Sequence, residues 1–312
     1  LWYVRSRQLS VSFRDARRGF HFAAVRRALF RLAATEDDAK NWRPTILVLS
    51  GNPATREGLV QYASWLEGGR GIVLLANILI GDLEDRRRHR DTAVAKLNEF
   101  CMERNMQAFP MVVVADTLEQ GVRMVVQTAT VGSIHANLAA LGWAPDPAQA
   151  QGLLHNARLA TRVGMSVVLL HTPQGPALPT RRRIDVWWRG LHNGALMLLL
   201  AYLVSQNREW TGASIRILRV VGSEDSRREA EQRLRELVDQ ARVQASVQVI
   251  VTGRPFREVV REHSADAGCF VLGFDLAPES AAESWHRNYA DLLEGMPAAV
   301  LVHSIGREDI NA

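Results

Sequence analysis

The stretch Thr45-Ile46-Leu47-Val48-Leu49-Ser50-Gly51-Asn52-Pro53 decides the predicted fold of this 312-residue chain. An uncharged apolar run is followed by a Ser-Gly-Asn-Pro turn, and residues 56–66 then show the apolar spacing of a helix. A continuous apolar run of this length is typical of a strand buried on both faces, as in a parallel sheet covered by helices. The stretch therefore predicts the first strand–helix unit of an α/β fold.

The same alternation continues to the end of the chain. Further strands are predicted at residues 71–80, 110–115, 137–142, 166–171, 184–188, 214–221, 246–251, 269–273 and 298–302, with helical patterns between most of them. The element order of the second half echoes that of the first, and strands alternating with helices indicate a sheet covered on both faces. The sequence thus predicts two doubly wound lobes with mostly parallel sheets, at residues 41–165 and 166–312.

The first 40 residues differ from the rest and are predicted to form a membrane-proximal segment and a connector helix. Residues 1–7 place Trp2 and Tyr3 before Arg5 and Arg7. Trp and Tyr favour the membrane–water boundary, and Arg favours the cytoplasmic side of a spanning helix. Two interpretations of these seven residues stay open: a cytosolic tail detached from membrane spans, and an arbitrary boundary on the surface of a soluble protein.

Residues 11–34 carry apolar side chains at helical spacing beside many arginines. Such a pattern predicts an amphipathic helix that lies near anionic lipid headgroups. Two alternatives remain open at this point: a connector packed on a partner and an ordinary solvated basic helix.

The composition excludes several classes of protein. The chain is 47% hydrophobic and 23% charged, which is typical of globular material. Its longest strongly apolar run, residues 195–204, is about half of the ~20 residues needed to cross a bilayer. The two cysteines are far apart in sequence, which fits a reducing cytosol. A net charge of +5, with arginines mostly in the connector or beside acids, predicts no nucleic-acid partner.

Ser50, Gly51 and Asn52 are the first candidate site, because they follow the first strand. Doubly wound folds bind ligands at the carboxyl ends of their strands, and a glycine turn before a helix can hold an anion. The stretch matches neither GxGxxG nor GxxxxGK[ST], so a tight turn that needs Gly and Pro is the favoured alternative. Asp116 follows the third strand and would either accept from a ribose hydroxyl or cap the next helix, and we favour the cap.

No catalytic or metal-binding pattern accompanies these residues. The chain contains no GxSxG elbow and no HxxxH pair, and His89-Arg90-Asp91 lacks the Asn that a kinase loop needs. The sequence therefore predicts that the chain is not an enzyme, with no catalytic residue, no metal and no cofactor.

Trp187 and Trp188 are neighbours on a predicted strand, so their side chains point to opposite faces of the sheet. One is expected to fill the core while the other meets a helix or a neighbouring subunit. Both are therefore candidate interface residues.

Several stretches resemble the C-terminal cytosolic domain of prokaryotic cation-chloride cotransporters, which belong to the amino acid–polyamine–cation transporter superfamily. The resemblance rests on residues 42–53, on Ala108-Phe109, on residues 127–143 with Leu141-Gly142-Trp143, on Ile184-Asp185-Val186-Trp187-Trp188 with residues 194–199, and on residues 297–303. It covers nearly the whole chain from about residue 40.

This resemblance implies a fold and a function. The domain would consist of two lobes similar to universal stress proteins, would form a homodimer on the cytoplasmic side of the cell membrane, and would tune its own transmembrane domain. That transmembrane part would carry chloride in symport with potassium and sometimes sodium. A bacterial-looking version such as this one is alternatively the tail of an amino acid permease.

Some relatives bind ATP or another adenine nucleotide at the edge of the first lobe. Carried over, that site would comprise Ser50, Gly51, Asn52 and Asp116, with Gly132 near a phosphate. The sequence departs from the family at Thr130 and Ala136, where Gly and Pro are usual, and a bulkier Thr narrows the approach that Gly permits. The leading hypothesis is a non-catalytic regulatory and dimerisation domain, and the alternative is a nucleotide-binding sensor of universal-stress type.

Overall fold

The computed structural model describes residues 13–36, 41–131, 133–173 and 181–308. The described residues divide into two compact units. One unit contains a helix and the short hairpin of residues 130–135, and the other contains the rest of the chain from residue 41 onward. The predicted segment of residues 1–7 lies outside the described residues. None of the helices described is both long enough and apolar enough to cross a membrane.

Nine α-helices follow one another in the described part of the chain. They are α1 (Phe13–Ala33), α2 (Glu57–Glu67), α3 (Leu83–Glu103), α4 (Leu118–Thr128), α5 (Ala150–Arg162), α6 (Leu191–Ser205), α7 (Glu224–Ala241), α8 (Phe256–Ser264) and α9 (Ala282–Leu293). The helix predicted from residue 146 begins later, because Asp146 and Pro147 start a short 3-10 turn at Pro147–Gln149 before α5.

Twelve strands accompany these helices among the described residues. They are β1 (Thr45–Leu49), β2 (Ile72–Ile80), β3 (Ala108–Ala115), β4 (Thr130–Val131), β5 (Ile134–His135), β6 (Leu138–Gly142), β7 (Ser166–His171), β8 (Arg183–Trp187), β9 (Ser214–Val221), β10 (Ala245–Val251), β11 (Cys269–Gly273) and β12 (Ala298–His303). The predicted α/β alternation is confirmed. Only the small β4–β5 hairpin had no counterpart in the prediction.

Ten of the strands form one continuous sheet, in the order β10-β9-β8-β11-β12-β7-β6-β1-β2-β3. Each half of this sheet repeats one strand order, third-second-first-fourth-fifth, when the separate hairpin is left aside. All neighbours are parallel except β7 and β12, the fifth strands of the two halves, which pair antiparallel at the centre. The two lobes therefore share one sheet. Their strand orders mirror each other about the central β7–β12 pair, as in an approximate twofold arrangement.

Strand β7 was predicted to open the second lobe, but in the structure it belongs to the first lobe. The predicted second lobe began at residue 166, but β7 pairs in parallel with β6 over Leu138↔Ser166 to Gly142↔Leu170. By direction and order it is the fifth strand of the first lobe. The predicted boundary falls one strand too early, because an apolar strand pattern does not reveal which neighbour the strand pairs with.

Four helices cover each face of the sheet and bury two separate apolar cores. Helices α2, α3, α6 and α7 pack on one face, and α4, α5, α8 and α9 pack on the other. Most strand residues are buried on both faces, which explains why the strands are continuous apolar runs rather than alternating ones.

The lobes are joined on both faces as well as through the sheet. On one face α2 packs against α6, where the rings of Trp65 and Trp210 meet edge to face at 5.6 Å and Asn207 Nδ2 donates to the Trp65 carbonyl at 2.8 Å. On the other face α5 packs against α9, and the His286 ring stacks on Trp143 at 4.7 Å. Both lobes are thereby held as one body.

Candidate functional site

The residues predicted to hold a ligand in the first lobe follow β1 but are engaged by the chain itself. Ser50 is fully buried, and its hydroxyl donates to the Ala76 carbonyl at 3.3 Å. Asn52 begins the 3-10 turn Pro53–Thr55, and its Oδ1 accepts from the Ala54 N–H at 3.1 Å. Gly51 has φ +63°, a conformation that favours glycine for backbone reasons alone. The turn interpretation therefore accounts for all three residues.

Asp116 does not lie at the point where the strand order reverses. That point is between β1 and β6, whereas Asp116 follows β3, with β2 in between, so it is about 10 Å from β1 at the usual strand spacing. The prediction that Asp116 caps the following helix is wrong. Thr117 is the N-cap of α4, and its hydroxyl accepts from the Gln120 N–H at 3.2 Å. Gly132, the predicted phosphate neighbour, lies outside the described residues.

Arg56 is the charged residue that the structure places at the reversal point of the first lobe. It stands at the N-cap position of α2, and its Nη1 lies 3.5 Å from where a Cβ on Gly142, at the end of β6, would be. The sequence predicts Arg56 in the first turn of this helix, and the structure places it one position earlier, at the N-cap.

The equivalent point of the second lobe contains a crevice of about 230 Å³ at the carboxyl ends of β8 and β11. It is lined by Trp187, Arg189, Gly190, His192, Asn193, Met197, Gly273 and Asp275. The crevice was not predicted, because the stretch 187–197 matches no known ligand-binding motif, and Gly273 and Asp275 come from a strand end that is distant in sequence.

Asn193 is the lining residue of that crevice whose side chain is held by two hydrogen bonds. Its Nδ2 donates to the Phe274 carbonyl at 3.3 Å, and its Oδ1 accepts from the Ser304 N–H at 2.8 Å. A Cβ on Gly273 would lie 2.9 Å from Asn193 Nδ2, so the amide packs directly against the end of β11, and its two bonds reach the residues that follow β11 and β12. Arg189 and Asp275, two side chains of opposite charge, also line the crevice.

We therefore expect ATP or AMP at millimolar concentration to leave the melting temperature of the chain unchanged. A site loaded at 100 times its dissociation constant would stabilise the fold by about 2.7 kcal/mol, which a thermal-shift measurement detects easily. A rise in melting temperature would contradict the expectation. If Arg56→Gln then abolished the rise, the nucleotide would lie in the first lobe, and if Arg189→Gln did so, it would lie in the second.

Trp187 and Trp188 are buried inside the chain and are not interface residues. Trp188 belongs to the core that includes α6, where a Cβ on Gly194 would lie 2.4 Å from its ring. Trp187 belongs to the core on the opposite face and stands edge to face with Phe256 at 5.5 Å. Exposed fractions of 0% and 4% leave no surface for a partner subunit. The opposite-face prediction is right, and the helix alternative holds for both side chains.

Asp185, two residues before Trp187, centres a buried polar network that the sequence analysis did not identify. Arg216 donates to both carboxylate oxygens, with Nε–Oδ1 3.0 Å and Nη2–Oδ2 2.8 Å. Arg183 Nε lies 3.1 Å from Oδ1, and the Ser264 hydroxyl donates to Oδ2 at 2.7 Å. The indole N–H of Trp187 donates in turn to Ser264 at 3.0 Å. The network ties β8 and β9 to the end of α8.

Neither cysteine has the environment of a reactive thiol. Both Cys101 and Cys269 are buried, and burial raises the pKa of each thiol, which keeps it protonated. Within the described ranges, no group of three His, Cys, Asp or Glu side chains converges in a way that would hold a metal ion. The expected lack of catalysis stays a prediction.

Helix α1 is the other surface with functional character. The predicted separation into an apolar stripe and a basic face is only partial, because Arg18 falls within the arc of Val25 and Leu29 on a helical projection. Nearly every described side chain of α1 is exposed, including those of Phe20 and Phe22. The helix thus presents both arginines and large apolar groups.

Comparison with known proteins relates this fold to a transporter family. The family model described as "Solute carrier family 12" matches residues 56–153 and 178–266, which lie in both lobes and make up more than half of the chain.

Two solved structures are similar in fold. The cytoplasmic domain of a prokaryotic cation chloride cotransporter has a TM-score of 0.63 and 18% identity, with 86% of this chain and 98% of that chain covered. A universal stress protein from Archaeoglobus fulgidus has a TM-score of 0.55 and 13% identity, with 83% and 96% covered. These two likenesses establish the α/β fold, and the family match across both lobes establishes that the chain belongs to solute carrier family 12.

Proposed function

We propose that this chain is the cytosolic regulatory and dimerisation domain of a secondary-active cation-chloride symporter, located at the cytoplasmic side of the cell membrane. The domain is non-catalytic and modulates transport by its own transmembrane domain, which carries potassium and chloride, with or without sodium. The family match over both lobes carries the proposal.

The arrangement of the lobes supports a mechanical role. Contacts on both faces and one shared sheet hold the lobes together, so a force applied to either lobe displaces both. A domain that moves as one body can bias a transporter between two states if it contacts them differently. Ion binding itself belongs to the membrane spans in this proposal.

The full-length transporter, reconstituted in vesicles, tests the proposal. We expect chloride-dependent uptake of a potassium tracer whose maximal rate changes when residues 41–308 are deleted, while the KM for chloride stays the same. A changed KM or changed ion selectivity would place the ion sites in this domain and contradict the proposal. Uptake of amino acids in place of ions would favour the alternative, an amino acid permease.

Dimerisation is tested on the 312-residue chain itself. We expect sedimentation to show self-association at high micromolar concentration. A strict monomer at that concentration would count against dimerisation, and a weak dimer would not, because a membrane raises the local concentration of its proteins.

A further inference from the structure

Helix α1 exposes an unusual amount of apolar surface. Five large side chains are about half to three-quarters exposed: Phe20 (66%), Phe22 (72%), Val25 (56%), Phe30 (64%) and Leu32 (49%). Clustered exposed apolar groups of this kind mark interaction surfaces, because a soluble protein rarely leaves them uncovered.

From residue 17 to its end at Ala33, the same helix carries charges of one sign only. Residues 17–33 contain five arginines and no acid. The guanidinium of Arg26 lies 4.9 Å from the centre of the Phe30 ring, so cationic and apolar groups share one surface. A second copy of this helix would be repelled, and an anionic partner would be attracted.

A groove beside α1 adds a third observation. It has a volume of about 340 Å³ and lies within the smaller unit, between α1 and Ser133 of the hairpin. Its helical lining is apolar except for Arg26, and consists of Phe22, Val25, Arg26, Leu29, Phe30 and Ala33. Such a groove accepts hydrocarbon, while the arginines around it suit phosphate groups.

We propose that α1 binds the surface of an anionic lipid bilayer. The arginines pair with phosphate headgroups, and Phe22, Phe30 and their neighbours enter the boundary between headgroups and acyl chains, as in other interfacial helices. The proposal builds on the proposed function to the extent that a transporter's cytosolic domain lies close to a membrane. Among possible partners the bilayer fits both the cationic charge of residues 17–33 and the apolar groove.

Vesicle co-sedimentation of the 312-residue chain tests the proposal directly. We expect binding to vesicles of phosphatidylcholine with phosphatidylglycerol, weak binding to phosphatidylcholine alone, and release by molar salt. Exchange of Arg17, Arg18, Arg26 and Arg27 for Gln is expected to weaken binding at least a hundredfold, at about fivefold per arginine near the surface.

A matched variant controls for net charge. Exchange of Arg86, Arg87, Arg88 and Arg90 for Gln removes the same four charges from α3, where Glu84, Asp85 and Asp91 accompany them. We expect this variant to lose only a few-fold in affinity, because the three acidic side chains already offset these arginines and the exposed apolar groups of α1 are unchanged. Equal losses in both variants would overturn the proposal in favour of unspecific electrostatics.

A second variant tests the apolar part without changing the charge. Phe22→Ser combined with Phe30→Ser is expected to weaken vesicle binding by at least about tenfold, because the variant lacks the two large apolar rings that the wild-type helix would bury in the bilayer. Circular dichroism controls for the helix content.

Two outcomes would overturn the proposal outright. One is no binding to anionic vesicles, and the other is a chain dimer that the Phe22→Ser, Phe30→Ser variant abolishes, which would make a second copy the occupant of the surface. Regulation of uptake in the full-length transporter is measured separately. Failure of the wild-type chain to bind anionic vesicles, with regulation of uptake intact, would therefore reject only this inference, not the proposed function.

Discussion

Replacement of Asp185 by alanine is expected to lower the free energy of unfolding by about 3 kcal/mol. The carboxylate is fully buried and accepts from Arg183, Arg216 and Ser264. Breaking a buried ion pair typically costs about 3–5 kcal/mol, because the remaining charge is left without a partner. We expect the lower end of that range, because the side chains of Arg183 and Arg216 are 26% and 20% exposed and can bind water once the carboxylate is removed. Urea unfolding followed by far-UV circular dichroism measures the change.

Two further variants separate the buried network from charge in general. Asp185→Asn keeps the shape of the side chain and one acceptor but loses the charge. Charge-assisted hydrogen bonds are roughly twice as strong as neutral ones, so this variant should lose about half as much unfolding free energy as Asp185→Ala. Glu229→Ala removes an exposed carboxylate that lies 2.6 Å from Arg233 on α7, and it should change little. If Asp185→Ala lowered the free energy of unfolding no more than Glu229→Ala does, the buried network would contribute nothing to stability.

Replacement of Trp65 by alanine is expected to cost about 3–5 kcal/mol and to separate the unfolding of the two lobes. The Trp65 side chain is 1% exposed and meets Trp210, which is 0% exposed, across the junction of the lobes. Removing the ring empties the junction on one face of the sheet. We therefore expect two transitions in urea where the wild-type chain shows one.

Trp65→Phe is the matched control. It keeps an aromatic ring and removes an indole N–H that has no hydrogen-bond partner within the described part of the chain, so the cost should be about 1 kcal/mol. A double-mutant cycle with Trp210→Ala should give a coupling of about 1 kcal/mol, the worth of an edge-to-face pair. A single transition together with zero coupling would show that the junction does not unite the lobes.

The fold was largely predictable because its signal is local. Strands such as β1 and β12 are continuous apolar runs, and a helix lies between most consecutive strands of the ten-stranded sheet. Pairing partners are not local information, which is why β7 was given to the wrong lobe. The hairpin of β4 and β5, with two residues in each strand, is too short to show a period.

The candidate site was less predictable than the fold. Asp116 and Thr117 are both good helix caps, and only the backbone geometry decides between them. The alternation of side chains along a strand correctly predicted that Trp187 and Trp188 lie on opposite faces of the sheet. Which groups surround each ring depends on the packing of α6 and α8 against these faces, which the strand pattern does not show. At the crevice near Asn193, residues more than 80 positions apart meet, such as Asn193 and Phe274, and no sequence motif predicts this contact.

The central β7–β12 pairing makes the sheet wide as well as rigid. Ten strands at the usual spacing reach roughly 40 Å from β10 to β3. A tilt of about 5° with one outer strand held in place therefore swings the opposite outer strand by about 3–4 Å, close to one strand spacing. In the proposed mechanical role, the antiparallel β7–β12 pairing would therefore convert a small rotation of one lobe into a displacement of several ångströms at the far edge of the other.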